Sequence, residues 1–550
     1  MSIILNQLKK EINETIIKLD LKGELIIEKT KSIEHADYAT NFALINSKLN
    51  NLKPLELAEK IKENLLKNNK IIKNVEVAKP GFINIEINGL QLVKVLDEVQ
   101  KNKENYGRSA NKNYTFNLEL ISANPTGFLH IGHARNGIVG DSVRRILEFA
   151  GYNVQTEYYT NDAGNQVNVL AVTVFYYYLL LLKVEVEKPE EIYGGDMYEE
   201  LAQNIINKYG DKFKSLKINN NKINDPETHE LFRNLSINYF INIIKEQIDM
   251  LDIKIEHYSS EQKMYDDKLI DKMLNLYKNI GKTYEKDNAL WLKTTEFGDD
   301  KDRVLKKSDG SYTYITPDIA CHDERIRRTN ADKYVNFWGG DHHGYITRVR
   351  AGLALLNHRF DILDIDIIQM VRLIKDGKEF KMSKRKGTAV WLIDLIEMVG
   401  KDAIRYMLAS KNPSSHMDFD IDLVVERNST NPVYYAQYAT ARCKKLLDKF
   451  NSEIITDGTF EWNSKEKELI MHIDDFNSTI EHSASKRLPN VLCDYIQKLA
   501  KLFHSYYGND KIIDLNNVNE TNKKLLLVSS IYQVLVNSLT LIGVDFKDYM

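Results

Sequence analysis

Apolar residues alternate from Thr115 to Ile121, with Phe116, Leu118 and Leu120 on one side, and this period of two predicts a strand. Asn124-Pro125-Thr126-Gly127 breaks it, because proline lacks a donor and glycine tolerates a sharp turn. Downstream the period lengthens: Val139, Val143, Ile146, Leu147 and Ala150 recur at helical spacing, and Gly151 stands where that helix would stop. His130-Ile-Gly-His133 therefore lies at a strand-to-helix junction, near the positive end of a helix. Free backbone N–H groups and two imidazoles there suit a polyphosphate, and Gly132 would let a backbone or an adenine ring approach closely.

The same patterning divides the rest of the chain. Residues 1–110 read as a small α/β module, with a helix over Leu55 to Leu66 after Pro54. Val75 to Val77 and Phe82 to Ile87 flank the turn Lys79-Pro80-Gly81. Strand and helix signals alternate over 111–395, with the phosphate motif right after the first strand, which predicts a doubly wound parallel sheet of Rossmann type. The second strand is expected over Asn153 to Tyr158, then a mostly helical insertion at about 168–290, with the sheet resuming near Ala289-Leu-Trp-Leu292. Val335-Asn-Phe-Trp338 ends in Gly339-Gly-Asp-His-His-Gly344, a loop at the strand edge where such sheets bind ligands. From Asp394 the pattern turns helical, through Ala403 to Leu408 and Asp418 to Leu423, a connection placed at 396–430. Residues 431–550 read as an all-α bundle opened by Asn431-Pro-Val-Tyr-Tyr-Ala-Gln-Tyr438. The expected fold class is thus α/β multidomain.

Composition narrows the function. At 550 residues, 43% hydrophobic and 28% charged, the chain is long enough for three or four domains of ordinary globular character. A net charge of −3 does not advertise a polyanion partner, so any RNA surface must be local. Residues 431–550 hold 14 Lys/Arg against 15 Asp/Glu, which favours aromatic stacking on unpaired bases over a general electrostatic grip. Tyr434, Tyr435 and Tyr438 are candidates for stacking, with core packing the competing role. Three scattered cysteines, Cys321, Cys443 and Cys493, form no CxxC pair and imply neither a disulfide nor a zinc knuckle. The first residues show no basic region followed by a long apolar run, and the run Val169 to Leu182 falls short of the roughly 20 residues a spanning helix needs. A cytoplasmic chain without a membrane partner is expected.

Ser122 to His133 resembles the first signature of class I aminoacyl-tRNA synthetases, and Lys381-Met-Ser-Lys-Arg-Lys-Gly387 resembles their second. Taken singly, the first could be a helix cap with incidental histidines and the second a solvated basic loop; their order and separation make joint coincidence small. Further likeness is specific to arginyl-tRNA synthetases: His35 to Phe42, Ala78 to Asn84, Phe297 to Leu305, Gln369 to Arg372, and the closing segment Leu539 to Met550. This resemblance spans essentially the whole chain. It implies ATP-dependent ligation of L-arginine to tRNA(Arg) through an arginyl-adenylate, with magnesium on the nucleotide, no protein-bound metal cluster and a monomeric enzyme. It implies that the N-terminal module touches the outer corner of the tRNA, a role that stays open beside that of a plain accessory domain.

The resemblance also implies a set of site residues. His130, His133, Lys381 and Lys384 would carry catalysis. Thr126, Gly127, Gly132, Met382 and Ser383 would join them around ATP. Glu119, Ser122, Asn124 and His133 would hold the amino and carboxylate ends of arginine, and Tyr314, Asp318 and Asp341 its guanidinium. Tyr314 and Asp318 stand four residues apart, so a helix there would put an aromatic face and an acid on one side. Arg385 departs from the serine that usually closes the second signature, which puts that position's role in doubt. A small-molecule nucleotidylyltransferase or a catalytically dead RNA-binding relative are the competing functions. The first needs neither the C-terminal bundle nor a lysine-rich loop, and intact His130, His133, Lys381 and Lys384 argue against the second.

Overall fold

The computed structural model describes residues 2–30, 36–68, 71–340, 345–380, 390–450 and 460–550. The chain divides into two compact units, residues 110–425 and residues 1–109 together with 426–550.

The 110–425 unit is built on a five-stranded sheet in the order Leu363–Ile368, Lys333–Gly339, Thr115–Glu119, Asn153–Thr160, His257–Ser260, with every neighbouring pair parallel. The first strand in sequence lies in the middle, and the chain adds strands outward on both sides of it. A topological switch point therefore falls between Thr115–Glu119 and Lys333–Gly339. Helix Ile131–Phe149 covers this centre. Leu118 and Leu120 are fully buried under it, and a β-carbon on Gly140 would come within 2.2 Å of the Leu120 side chain, so only glycine lets the helix lie this close.

The same helix buries Asp141, whose carboxylate accepts from Arg405 at 2.7 Å, Arg144 at 2.8 Å and Arg145 at 2.8 Å. Burial opposes the charge, but the Arg405, Arg145 and Arg144 guanidinia outweigh it and hold the carboxyl well below the usual carboxylate range. Arg405 belongs to helix Lys401–Ala409, so the cluster ties the end of this unit to its centre.

Two readings of the pattern need correction. The parallel sheet resumes at His257–Ser260, inside the stretch expected to be a helical insertion. That strand is four residues long, polar and half-solvated, and gives no apolar period to read. Ala289–Leu292 instead pairs antiparallel in a separate three-stranded sheet with Thr283–Lys286 and Arg303–Lys306. The stretch after Asp418 is not helical throughout: Met417–Asp420 is a strand parallel to Val371–Lys375, burying Met417 and Phe419 at a period of two, and the helix Ile421–Val425 starts after it. Ahead of that strand, helices Asn165–Leu181, Asp196–Tyr209 and Pro226–Met250 pack through Phe175, Tyr178, Phe232 and Phe240.

In the other unit a four-stranded antiparallel sheet runs Ile27–Lys29, Tyr38–Thr40, Phe82–Ile87, Ile72–Ala78. It packs with helices Ile3–Lys18, Pro54–Asn68 and Gly89–Asn102. The five helices Pro432–Asp448, Ser464–Asp474, Phe476–Lys486, Pro489–Asn509 and Val518–Leu541 complete the unit. Asp474 at the end of one of them caps the first helix of the chain. Its carboxylate accepts from the Ile3 N–H at 2.7 Å, the Ile4 N–H at 3.2 Å and the Ser2 hydroxyl. Val518–Leu541 is long and apolar enough to cross a membrane by length and composition, yet 67% of its most apolar window is buried inside the protein. Its apolar length is spent on packing against Pro432–Asp448 and Pro489–Asn509.

Replacing Asp141 by Asn removes the carboxylate that Arg405, Arg144 and Arg145 share, while Arg144 keeps Glu148 and Arg145 keeps Asp252. The expected cost is about 3–5 kcal/mol, the usual result of breaking a buried pair from one side. It is read as a lower urea midpoint for unfolding of the 110–425 unit, and an unchanged midpoint would show that the cluster does not hold the unit together.

Candidate active site

The turn after the central strand is strained. Ile121 and Ser122 take φ of 66° and 49°, a left-handed conformation that a β-branched residue avoids. Neighbouring strands and the following helix hold it there. The Ile121 N–H donates to Asn136 Oδ1 at 2.7 Å, and Asn136 in turn donates to the Phe337 carbonyl. Ser122 Oγ accepts from the Tyr159 N–H at 3.0 Å, and the Tyr158 hydroxyl donates to the Ala123 carbonyl at 2.7 Å. The chain then passes through exposed Asn124 to Thr126, whose carbonyl accepts from Tyr198 at 2.6 Å beside Gly127. Phe128 is buried in the core of the insertion, and the Leu129 N–H donates to Gln247 at 2.9 Å.

His130 caps helix Ile131–Phe149. Its Nδ1 accepts from the Gly132 N–H at 3.1 Å, and His133 Nδ1 accepts from the His130 N–H at 3.4 Å. The two rings stack with centroids 3.7 Å apart and planes 22° from parallel. A β-carbon on Gly132 would sit 3.0 Å from the His130 ring, which is why this position is glycine. Because each Nδ1 accepts, the network assigns the proton to Nε2 in both rings. Burial lowers the pKa of both, and with the neighbouring His130 it brings His133 to about 3. At neutral pH these imidazoles are therefore uncharged N–H donors at the start of a helix, suited to phosphate oxygens but contributing no net charge of their own.

The second signature, Lys381, Met382, Ser383, Lys384 and Arg385, lies outside the described residues, as do Asp341 and His35. The chain on both sides of 381–389 is bound to the first signature or to the helix it opens. After it, Trp391 forms a β-bridge with His130, and the Leu392 N–H donates to the Leu129 carbonyl at 2.7 Å. Before it, fully buried Arg135 donates to the Gln369 carbonyl at 2.6 Å, and also to Ser415 at 2.9 Å and Asn412 at 3.0 Å. Burial brings the pKa of Arg135 down to about 10, and among the described residues only carbonyls satisfy it.

A second group of polar side chains gathers at the C-terminal edge of the sheet. Asp318 is in the first turn of helix Ile315–Thr329, half-buried, and its charge raises Tyr345 and Glu261, both already raised by burial. Glu261 follows strand His257–Ser260 and faces the Tyr159 hydroxyl. Cys321, fully buried, is pushed up by burial and by the charges of Glu119, Glu157 and Asp318, which places Glu119 and Asp318 around it. Glu119 Oε2 accepts from Arg325 at 3.0 Å. Of the sequence-predicted arginine residues, Glu119, Ser122 and Asp318 thus share one edge, whereas Tyr314 precedes its helix at 93% exposure. Glu261 and Tyr159 were not anticipated; the only signal was their place at the end of a strand, and the strand before Glu261 is itself hard to read. Among the described residues no group of three or more His, Cys, Asp or Glu could hold a metal ion.

Comparison with known proteins covers the whole chain. Residues 92–447 match the family "tRNA synthetases class I (R), catalytic domain", residues 436–550 the DALR anticodon binding domain, and residues 6–87 the arginyl tRNA synthetase N terminal domain. The chain is 52% identical over 554 residues to the arginine–tRNA ligase of Mesoplasma florum, covering 100% of both, and 38% identical to that of Bacillus subtilis, covering 99% of this chain and 98% of that one. Among solved structures, a putative arginyl-tRNA synthetase from Campylobacter jejuni superposes with a TM-score of 0.77 at 31% identity, over 84% of this chain and 100% of that one. The Thermus thermophilus arginyl-tRNA synthetase shares the fold at TM-score 0.74 and 20% identity, over 99% and 100% of the two chains.

The neutral state of His133 has a direct readout. Its folded pKa of about 3 lies below the usual 6.5, so the ring stays neutral in the folded protein while an unfolded chain takes up a proton. Its contribution to stability is complete above about pH 6.5 and is lost progressively as pH falls. Imidazole ¹⁵N spectra at pH 5 are expected to show the Nε2–H tautomer for His133, and an imidazolium signal there would contradict the neutral state and the accepting Nδ1.

Proposed function

The chain belongs to the arginyl-tRNA synthetase family, and from that premise we propose how its residues divide the reaction. It ligates arginine to tRNA in translation, with ATP as the activating substrate. A carboxylate oxygen of arginine attacks the α-phosphorus, the bond to the bridging oxygen breaks, and pyrophosphate leaves. A ribose hydroxyl of the tRNA terminus then attacks the acyl carbon and releases AMP.

Negative charge grows on the phosphates in the first step, so preorganised donors are the main lever. His130 and His133 supply neutral N–H donors, next to the free amides of the helix start and the close approach allowed by Gly132; Thr126 and Gly127 border the nucleotide. The positive charge comes from Lys381 and Lys384, with Met382 and Ser383 beside the adenylate, and Lys384 on the departing pyrophosphate. Magnesium enters with the nucleotide as part of the substrate. Asp318, Tyr314 and Asp341 hold the guanidinium, and Glu261 adds a further carboxylate. Glu119, Ser122, Asn124 and His133 hold the amino and carboxylate ends.

The observation that carries this reading is the group of carboxylates Asp318, Glu261 and Glu119 at the C-terminal edge of the sheet that helix Ile131–Phe149 covers. Glu261, raised by burial and by the charge of Asp318, gains from a cationic substrate, and a planar fork satisfies the group of carboxylates better than a point charge. The partner is tRNA(Arg), met by the N-terminal module at its outer corner and by the helical domain at its anticodon. The enzyme works as a cytoplasmic monomer.

Three measurements test this assignment. The purified protein is expected to charge tRNA with arginine and to reject lysine strongly, since an ammonium leaves buried acids unpaired; comparable charging by lysine would sink the pocket. Following ATP–pyrophosphate exchange with and without tRNA in the same preparation separates a synthetase from a small-molecule nucleotidylyltransferase. Lys384→Ala is expected to slow adenylate formation by about 10²–10³-fold with little change in arginine affinity, as for loss of one oxyanion donor. Single-turnover activation at the wild-type rate would remove Lys384 from the mechanism.

A further inference from the structure

Arg325 lies on the fourth turn of a surface helix, where a charged side chain ordinarily points to water, yet it is 2% exposed. Its guanidinium reaches under the edge of the parallel sheet. Nε donates to Asn117 Oδ1 at 2.7 Å, one terminal nitrogen donates to Asn336 Oδ1 at 2.7 Å and Glu119 Oε2 at 3.0 Å, and the other donates to the Asn117 carbonyl at 3.1 Å. The face of the group lies over the Tyr334 ring, 5.3 Å from its centroid. A second carboxylate, Glu157, stands 3.7 Å from Nε and is engaged at 2.7 Å by Arg328. Asn336 passes the contact on: its Nδ2 meets His322 Nε2 at 2.8 Å, and His322 Nδ1 meets the Asp318 carbonyl at 2.8 Å. One guanidinium thus connects the central strand, the strand across the switch point, and the helix that carries Asp318.

We propose that Arg325 is a positioning residue that orients Glu119 toward the α-amino group of arginine and fixes the distance between that end of the pocket and Asp318 at the guanidinium end. The inference rests on the assignment of Glu119 to the amino end of the substrate. Its physical content is a division of one carboxylate. Oε2 is committed to Arg325, which holds the group in one rotamer. Oε1 takes no hydrogen bond among the described residues and remains for an ammonium. Planarity matters here: four bonds in fixed directions lock the fork, whereas a lysine in its place could reach one or two of the same acceptors and would leave Glu119 to turn. Arg325 touches no reacting atom, so its loss acts through the affinity of one end of the substrate.

Three ligands separate this role from general damage. Arginine carries the guanidinium, amine and carboxylate; agmatine keeps the amine and lacks the carboxylate; 5-guanidinopentanoate keeps the carboxylate and lacks the amine. In Arg325→Lys, the KM for arginine and the inhibition constant of agmatine in tRNA charging are expected to rise roughly 10- to 100-fold, the range for a lost charge-assisted hydrogen bond. The inhibition constant of 5-guanidinopentanoate and the KM for ATP are expected to stay within about threefold, the scatter ordinary for context-dependent interactions. Asn336→Ala, which removes one restraint on Arg325, is expected to show the same selectivity at smaller amplitude and serves where the lysine variant folds poorly. Glu119→Gln is the control. If it shows the selectivity and neither Arg325→Lys nor Asn336→Ala does, the positioning role is wrong while Glu119 keeps its place. If Glu119→Gln weakens all three ligands equally or none, the assignment of Glu119 falls and the positioning role with it.

Discussion

A backbone forced into the left-handed region at Ile121 and Ser122 is the constraint on which the site depends. Straight continuation of the central strand would carry the chain past the sheet edge. The turn instead presents Ser122 inward and swings the chain to begin a helix at His130. Such a conformation persists only when its surroundings over-determine it. Here the restraints come from Asn136 on the following helix and from the Tyr158 and Tyr159 positions of the adjacent strand. The same helix must then lie close enough for Asn136 to reach, which Gly140 permits and Asp141 secures. Local strain, close packing and buried charge form one chain of dependence.

Charge is distributed by the same logic. The histidines are made neutral by burial, so they donate hydrogen bonds without the cost of a buried cation. Arg135 and Arg325 are buried cations, but their fields are taken up by backbone carbonyls in one case and by amides and Glu119 in the other. They fix positions. Positive charge for the phosphates is left to the lysines of the second signature, and the chain on either side of that stretch is held against the first signature and its helix.

Strong periodicity made part of this legible in the sequence. Thr115–Glu119, helix Ile131–Phe149 and helix Pro54–Asn68 stood out because the apolar residues of each recur along one face of the sequence pattern with one clear period, with a proline, glycine or cap near an end. His257–Ser260 did not, since a short edge strand with polar residues has no such face. Asp418 to Leu423 was ambiguous because alternating acids and apolar residues over so few positions fit either period. Glu119, Ser122 and Asp318 could be named from motif resemblance and do meet at one edge. Arg135, Arg325 and Glu261 could not be singled out, because nothing in a helix pattern says which charged residue turns inward. That depends on acceptors supplied by Gln369, Asn412, Asn117 and Asn336, far away in the chain.

The cap on helix Ile3–Lys18 joins residues made at very different times. Ser2 and Asp474 are 472 positions apart, and the Ile3 and Ile4 amides have the same distant acceptor. At synthesis rates of about 5–20 residues per second, the carboxylate follows its donors out of the ribosome by roughly 25–95 s. Throughout that interval the helix has its unpaired amides in water, and helix Gly89–Asn102 lacks Ser464–Asp474 and Val518–Leu541, against which its buried apolar face packs in the finished fold. The small α/β module is therefore born unfinished. It is completed only when the helical domain has followed it out, so a ribosome stalled between the two leaves a nascent chain with an apolar face that a chaperone can hold.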